Sequence, residues 1–317
     1  MSEASTQNLL SRLSGYGLAF AGAFLFATKG IFIKLAYEYG VDATTLLTLR
    51  LLIATPFFVG VGLITYFRRA DKTPLPAELY QKALAVGVLG YWFASYTDFE
   101  GLVYLSPQFE RLILFTYPLF VILLGAWLLR QPLKLFTLPA FAIAYAGLAL
   151  VFVSDLREGA GATATGAAWV MASSVAFALY LLLAKPLIAR MGASLFTSVA
   201  MIGAAMATFL HFGVTHPLSA IPSEPGLWSL SIGLAIGATV LPGYLVSFAL
   251  ARISSQANAV IGFINPVITM GLSMLILKER ISLPELIGTA LVLGGVGLYT
   301  WLDQRAASSK PAVSSAG

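Results

Sequence analysis

Cysteine is absent from all 317 residues, which excludes disulfides, thiolate metal centres and cysteine nucleophiles. Histidine is nearly absent: His211 and His216 stand at the end of one apolar stretch and fit no HExxH-type metal spacing. Charge is scarce as well, at 10% of residues against 58% hydrophobic, where a soluble domain carries about 25%. No GxxxxGK[ST] segment and no soluble domain exist to bind ATP. No Lys/Arg run interleaves with aromatics, so the net charge of +5 does not point to nucleic acid. The polar segment 1–14 lacks the order of a cleavable signal peptide, so the first apolar stretch is expected to remain as an anchor. Nothing in the sequence implies a metal or a cofactor.

What is present is apolar helix. A membrane-crossing helix needs about 20 apolar residues, and ten segments qualify, near 15–35, 44–67, 79–97, 107–129, 133–153, 165–184, 194–213, 227–250, 256–277 and 283–302. The fold class is therefore all-α, a polytopic membrane protein with ten transmembrane helices. The Gly/Ala-rich stretch Ser154–Ala164 reads as the break between two groups of five. The domains are a segment 1–14, a first five-helix unit 15–153, a second 165–302 and a tail 303–317. With both termini inside, cytoplasmic segments hold 12 of the 19 basic residues, as the positive-inside rule requires.

The second unit repeats the first, 148 residues later. Residues 101–152 laid on 249–300 without a gap match at 13 of 52 positions, six of them Leu on Leu. The other seven are Ser106/Ser254, Gln108/Gln256, Ile113/Ile261, Phe115/Phe263, Pro118/Pro266, Ala142/Ala290 and Gly147/Gly295. An odd number of spans in each half makes the two halves upside down relative to each other, the inverted-repeat plan of secondary transporters.

Further stretches add to the pattern: Ala27–Lys34 in span one, Arg50 opening span two, Tyr117-Pro118-Leu119 in span four, Asn265-Pro266-Val267 in span nine, and Leu277–Ile281 before span ten. With the repeat, the chain resembles the drug/metabolite transporter superfamily, in particular its EamA-like ten-span members, over nearly its whole length. The resemblance implies a central cavity lined mainly by spans one, three, four, six, eight and nine, in the cytoplasmic membrane of a prokaryote. Glu110-Arg111 at the start of span four and Lys29 in span one depart from the commonest pattern of that family.

Helical spacing groups the candidate binding residues. Asn258, Gly262, Asn265 and Thr269 share one face of span nine, and Glu110, Leu114, Tyr117 and Val121 are their repeat mates in span four. Such a stripe must face protein or water, as cavity lining or as interhelical hydrogen bonds. Trp92, Tyr96 and Phe99 share a face of span three, and Trp169, Ser173, Ala176 and Tyr180 a face of span six. Tyr244, the repeat mate of Tyr96, follows Pro242-Gly243 in span eight. Pro118, Pro242 and Pro266 each remove a backbone donor and are candidate bends or gates, or shapers of packing alone.

Lys29 lies about 20 Å into the membrane from Tyr16, where an unpaired cation costs at least about 2.5–3.5 kcal/mol. Asp98, Glu100 and Glu110 fall at the same depth. Ser106 is a good N-cap and Pro107 a good first helical residue, which places Glu110 in the first turn of span four. Lys29 or Arg111 would receive a substrate carboxylate, and Glu110 or Asp98 an amine or a coupling proton. The competing reading is a structural Lys29–Glu110 ion pair, with Asp98 and Glu100 as solvated loop residues.

The function expected is secondary transport of a small metabolite by alternating access, an export of amino acids or related amphipathic solutes. The chain would act as a monomer in the bacterial inner membrane. The alternatives are a membrane receptor or scaffold that moves nothing, and an importer or exchanger of organic anions. An enzyme is disfavoured, because no His–carboxylate or Ser–His grouping is in view.

Overall fold

A computed structural model describes residues 3–69, 74–130, 138–250, 252–253, 261–262 and 264–308. Every regular element among them is a helix. Six stretches are long and apolar enough to cross a membrane: Leu13–Tyr37, Ala43–Phe67, Pro107–Leu128, Gly161–Met191, Ala193–Thr215 and Pro225–Val246. These are spans one, two, four, six, seven and eight. Shorter apolar helices, Leu138–Ser154, Asn265–Leu277 and Leu283–Tyr299, form spans five, nine and ten. Span three runs through Ala77–Gly87, Val88–Phe93 and Ala94–Tyr104, and carries Asp98 and Glu100. The protein is an all-α polytopic membrane protein of ten transmembrane helices.

Between spans five and six the expected loop is helix. Helical hydrogen bonding covers Leu138–Met191, 54 residues, including Ser154–Ala164. Straight, that rod would be about 81 Å long. It is not straight. The Phe152 ring lies 6.5 Å from that of Phe109, and Ser174 Oγ lies 3.3 Å from Thr116 Oγ1. On a straight helix Phe152 and Ser174 would stand about 33 Å apart, yet Phe109 and Thr116 are separated by only about 10 Å. The chain therefore doubles back without leaving helical geometry. Ala, Leu, Arg and Glu fill the turn, and these are good helix formers, so the single glycines do not unwind it.

Spans five and ten show how the halves are related. A Cβ added to Gly147 would fall 2.6 Å from the Gly288 carbonyl oxygen and 3.0 Å from Val292 N. One added to Gly295 would fall 2.6 Å from the Ala140 carbonyl oxygen and 2.6 Å from Ala144 N. Gly288 and Val292 are the repeat mates of Ala140 and Ala144. The contact is thus its own image under the repeat, as a local two-fold axis requires. Val151 and Gly147 meet Gly288, whereas Ala144 and Ala140 meet Gly295, so the helices are antiparallel. A two-fold relating antiparallel helices is perpendicular to them and lies in the membrane plane, which makes the repeats inverted.

Ten crossings put the connections after spans one, three, five, seven and nine at one end, called here the mouth, and both termini at the other. At the mouth His216 Nε2 lies 3.2 Å from Asp42 Oδ2, joining the connections after spans one and seven. The helices reach beyond the apolar segments: span one starts at Glu3, within the expected polar segment, and span ten runs to Ser308, into the expected tail.

Candidate functional site

Among the described residues three spans are broken. Span four stops at Leu114 and resumes at Tyr117, with Pro118 as the second residue of the new helix. Span nine resumes at Asn265, with Pro266 in the same place. At both breaks the backbone tightens to an i→i−3 bond at repeat-equivalent positions, Thr116 N to Ile113 O and Ile264 N to Ile261 O. Proline at the second helical position lacks the donor that would continue the preceding ladder, so the two interruptions share one cause. Spans three and eight instead widen into π-helix at overlapping repeat positions, Val88–Phe93 and Gly233–Val240. Pro242 comes two residues after the end of the second of these, where the looser turn accommodates its ring. The third break has no repeat mate. Span one stops at Ala27 and resumes at Lys29, whereas span six is helical through the equivalent Ala176.

The break in span one opens onto side chains from spans four and nine. Thr28 Oγ1 folds back onto the Leu25 carbonyl at 2.6 Å. Arg111 Nη2 donates to the Phe26 carbonyl at 3.4 Å, and buried Thr269 Oγ1 donates to the Ala27 carbonyl at 3.1 Å. Carbonyls that an intact helix would satisfy are thus taken up by neighbours. Gly30 makes the approach possible, since a Cβ there would lie 2.9 Å from that of Pro107. Span four begins as its sequence indicates: Ser106 Oγ accepts from Phe109 N at 3.3 Å, Pro107 is first in the helix, and Glu110 sits in the first turn.

Four charges meet at this point. Lys29 Nζ donates to Asp98 Oδ2 at 2.5 Å and to Glu110 Oε1 at 3.5 Å. Arg111 Nε lies 3.7 Å from Glu110 Oε2. Their side chains are 16%, 3%, 0% and 10% exposed for Lys29, Asp98, Glu110 and Arg111. Asp98 is therefore no solvated loop residue. It is helical, buried and the nearer partner of Lys29. Arg111, one helical step from Glu110, reaches back to span one. The quartet is balanced at two cations and two anions, but its hydrogen bonding is incomplete. Asp98 Oδ1, Glu110 Oε2 and Arg111 Nε are buried without a hydrogen bond among the described residues.

Arg50 extends the cluster. It is 6% exposed, donates through Nε to Thr239 Oγ1 at 2.9 Å, and lies 5.6 Å from the Phe99 ring centroid, within electrostatic reach of Asp98. Its position at the head of span two marked it in the sequence, but its burial could not be seen there.

The aromatic candidates fall into separate groups. Tyr117 packs on Phe177 (5.3 Å), which stacks on Tyr180 (5.8 Å), whose hydroxyl donates to that of Tyr91 at 3.0 Å. Tyr91, one step from Trp92, is the span-three residue that meets span six here. Trp92 and Tyr96 pack instead around His211 of span seven, at 5.7 and 5.0 Å, with Trp169 6.1 Å from Tyr96. Tyr244 stands apart, 6.3 Å from Phe58, and among the described residues its hydroxyl and the buried Asn265 Oδ1 have no hydrogen-bond partner. Asn258 lies outside the described residues.

Two cavities complete the geometry. A cleft of about 540 Å³ between spans three and six is lined wholly by apolar side chains, among them Leu89, Phe93, Met171 and Leu179. A second, of about 270 Å³, is polar and lies at the mouth between Tyr104–Gln108 and Glu279–Glu285.

Ten spans in two inverted copies is the plan of secondary transporters, and comparison gives the class a name. The EamA-like transporter family matches the chain twice, over residues 13–153 and 164–301. The protein belongs to the EamA-like transporter family. Among curated relatives of this EamA-like protein, the uncharacterized transporter YcbK of Bacillus subtilis (strain 168) is 31% identical over 278 residues, 84% of this chain and 86% of its own. A WAT1-related protein of Arabidopsis thaliana is 25% identical over 316 residues, 88% of this chain and 87% of its own. A solved crystal structure at 20% identity, covering 94% of this chain and 99% of its own, superposes with a TM-score of 0.63, which shows the fold alone. Family membership thus rests on sequence matches to both repeats, and the ten-helix fold agrees with it.

Proposed function

We propose that this EamA-like protein is a secondary transporter of small zwitterionic metabolites, amino acids first among them, working by alternating access of its two halves. It runs outward across the bacterial inner membrane, with both termini cytoplasmic and the mouth outside. The observation that carries the substrate class is the buried quartet of Lys29, Asp98, Glu110 and Arg111, balanced in charge and left with unused acceptors and an unused donor. An ammonium group answers the free carboxylate oxygens, and a carboxylate answers Arg111 and Lys29. A zwitterion brings both without leaving a net charge in the membrane. The repeat-matched prolines and π segments support the mechanical half of the reading, because interrupted helices bend with less cost than intact ones. The excess of basic residues at the end bearing the termini supports the orientation. Drive comes from a gradient, with protons the first coupling ion to test.

Counterflow in proteoliposomes tests it. Vesicles loaded with unlabelled amino acids should take up labelled amino acid saturably, and Asp98→Asn should abolish uptake. If no member of a panel of amino acids exchanges while organic anions do, the quartet reads anions alone and the zwitterion assignment fails.

A further inference from the structure

The polar cavity at the mouth takes no part in the quartet. It lies between the repeats: Ser106 and Gln108 come from the start of span four, Glu279 from the connection after span nine, and Glu285 from the first turn of span ten. Glu285 is committed to structure. Its Oε2 accepts Ser282 N at 2.6 Å and its backbone N donates to Ser282 Oγ at 3.3 Å, a reciprocal capping box. Its Oε1 accepts Gln108 Nε2 at 3.1 Å, which fixes the amide, since a flipped Gln108 would set two oxygens against each other. Among the described residues Gln108 Oε1 is left without a hydrogen bond, in a residue only 3% exposed, and so is Glu279 Oε2, a buried atom of a half-buried residue.

Both orphans are acceptors, so the missing partner is a donor. Arg280 also lines the cavity but is exposed, and Lys34 acts on the Glu279 charge without an ion pair among the described residues, so the carboxylate is left to draw a cation. A dehydrated metal ion needs six or more oxygens held close, whereas about 270 Å³ is room for several waters. The Tyr104 and Leu105 side chains add an apolar wall. We infer that this mouth cavity binds a small primary ammonium compound, its amine between Glu279 and Gln108 and its carbon body against Tyr104 and Leu105. The site stands independently of the transport reading and is separate from the quartet.

Isothermal titration of the purified full-length protein in detergent with n-butylammonium chloride tests it, with sodium chloride and sodium butyrate as controls. Butylammonium alone should give saturable heat. The affinity should fall roughly tenfold or more in Glu279→Gln and in Gln108→Leu and stay unchanged in Asp98→Asn, which removes a carboxylate from the quartet. Thermal unfolding checks that each variant is folded. Glu279→Gln is isosteric and carries the test alone if Gln108→Leu does not fold, and Glu110→Gln replaces Asp98→Asn on the same ground. Heat that vanishes in Asp98→Asn and survives in Glu279→Gln would move the amine to the quartet and overturn the site. Sodium displacing the amine at equal concentration would overturn it too, as would the absence of saturable heat.

Discussion

The two halves of the protein share their mechanics and differ in their chemistry. Both carry a π-widened third helix, a fourth helix broken two residues ahead of a proline, and a fifth helix whose glycine lets the backbones touch. The charges are not shared. The repeat mates of Lys29, Arg50, Asp98, Glu110 and Arg111 are Phe177, Ser198, Val246, Asn258 and Ala259. A hinge works only if both halves bend in concert, so symmetry is useful there. A second buried ionic centre would add desolvation cost without a second substrate to repay it. The first half is thus the recognising half of the proposed transport cycle, and the break in span one, absent from span six, belongs to it.

The largest expected effect comes from removing the centre of that asymmetry. Lys29→Met strands two buried carboxylates, which should destabilise the protein by about 3–5 kcal/mol and abolish counterflow. The double variant with Asp98→Asn should recover thermal stability but not flux. Recovery of both would make the lysine structural and dissolve the distinction between the halves. Glu110→Asn, which gives the first half the residue found at 258, should lower the counterflow rate by about tenfold to a hundredfold. Unchanged flux would show that the second half's chemistry suffices.

The symmetric parts should respond symmetrically. Gly147→Ala and Gly295→Ala each push a methyl group into the facing backbone, with Cβ contacts of 2.6 Å in both cases. Each should cost about 1–3 kcal/mol in reversible unfolding, and a gap wider than that range between the two would break the two-fold picture. The smallest effect is at the N-terminal ends of spans two and seven, which lie at opposite ends of the bundle. Asp42 caps span two, accepting from Thr45 N and Thr45 Oγ1, both at 2.9 Å. Its counterpart before span seven is Gly192, with φ of 78° and no side-chain cap. Burial raises the Asp42 carboxyl, but the Thr45 bonds and the His216 charge outweigh it and hold it below the usual carboxylate range. A depressed pKa contributes stability above about pH 4, lost as pH falls through the folded value. Asp42→Ala should cost about 1 kcal/mol at neutral pH and remove that part of the acid dependence of the melting temperature.

The sequence alone determined the ten helices, the register of the repeat, the cap at Ser106 and the two proline breaks. Each of these is written in local composition or spacing, where apolar length, a missing donor or a short side chain acts within a turn or two. It also placed Lys29 near Glu110 by depth. What only the tertiary structure decided is which side chains meet across helices. Asp98, not Glu110, is the nearer partner of Lys29, because rotation of span three about its axis is set by packing against spans six and seven, where Gly90 meets Tyr180 and Gly87 meets Ala200. Trp92 and Tyr96 pack on His211 while Tyr91 turns to Tyr180, a difference of one residue within a π-widened turn that no regular helical period anticipates. The break at Thr28 has no proline to announce it. It exists because Arg111 and Thr269, distant in sequence, supply the hydrogen bonds that the helix gives up there.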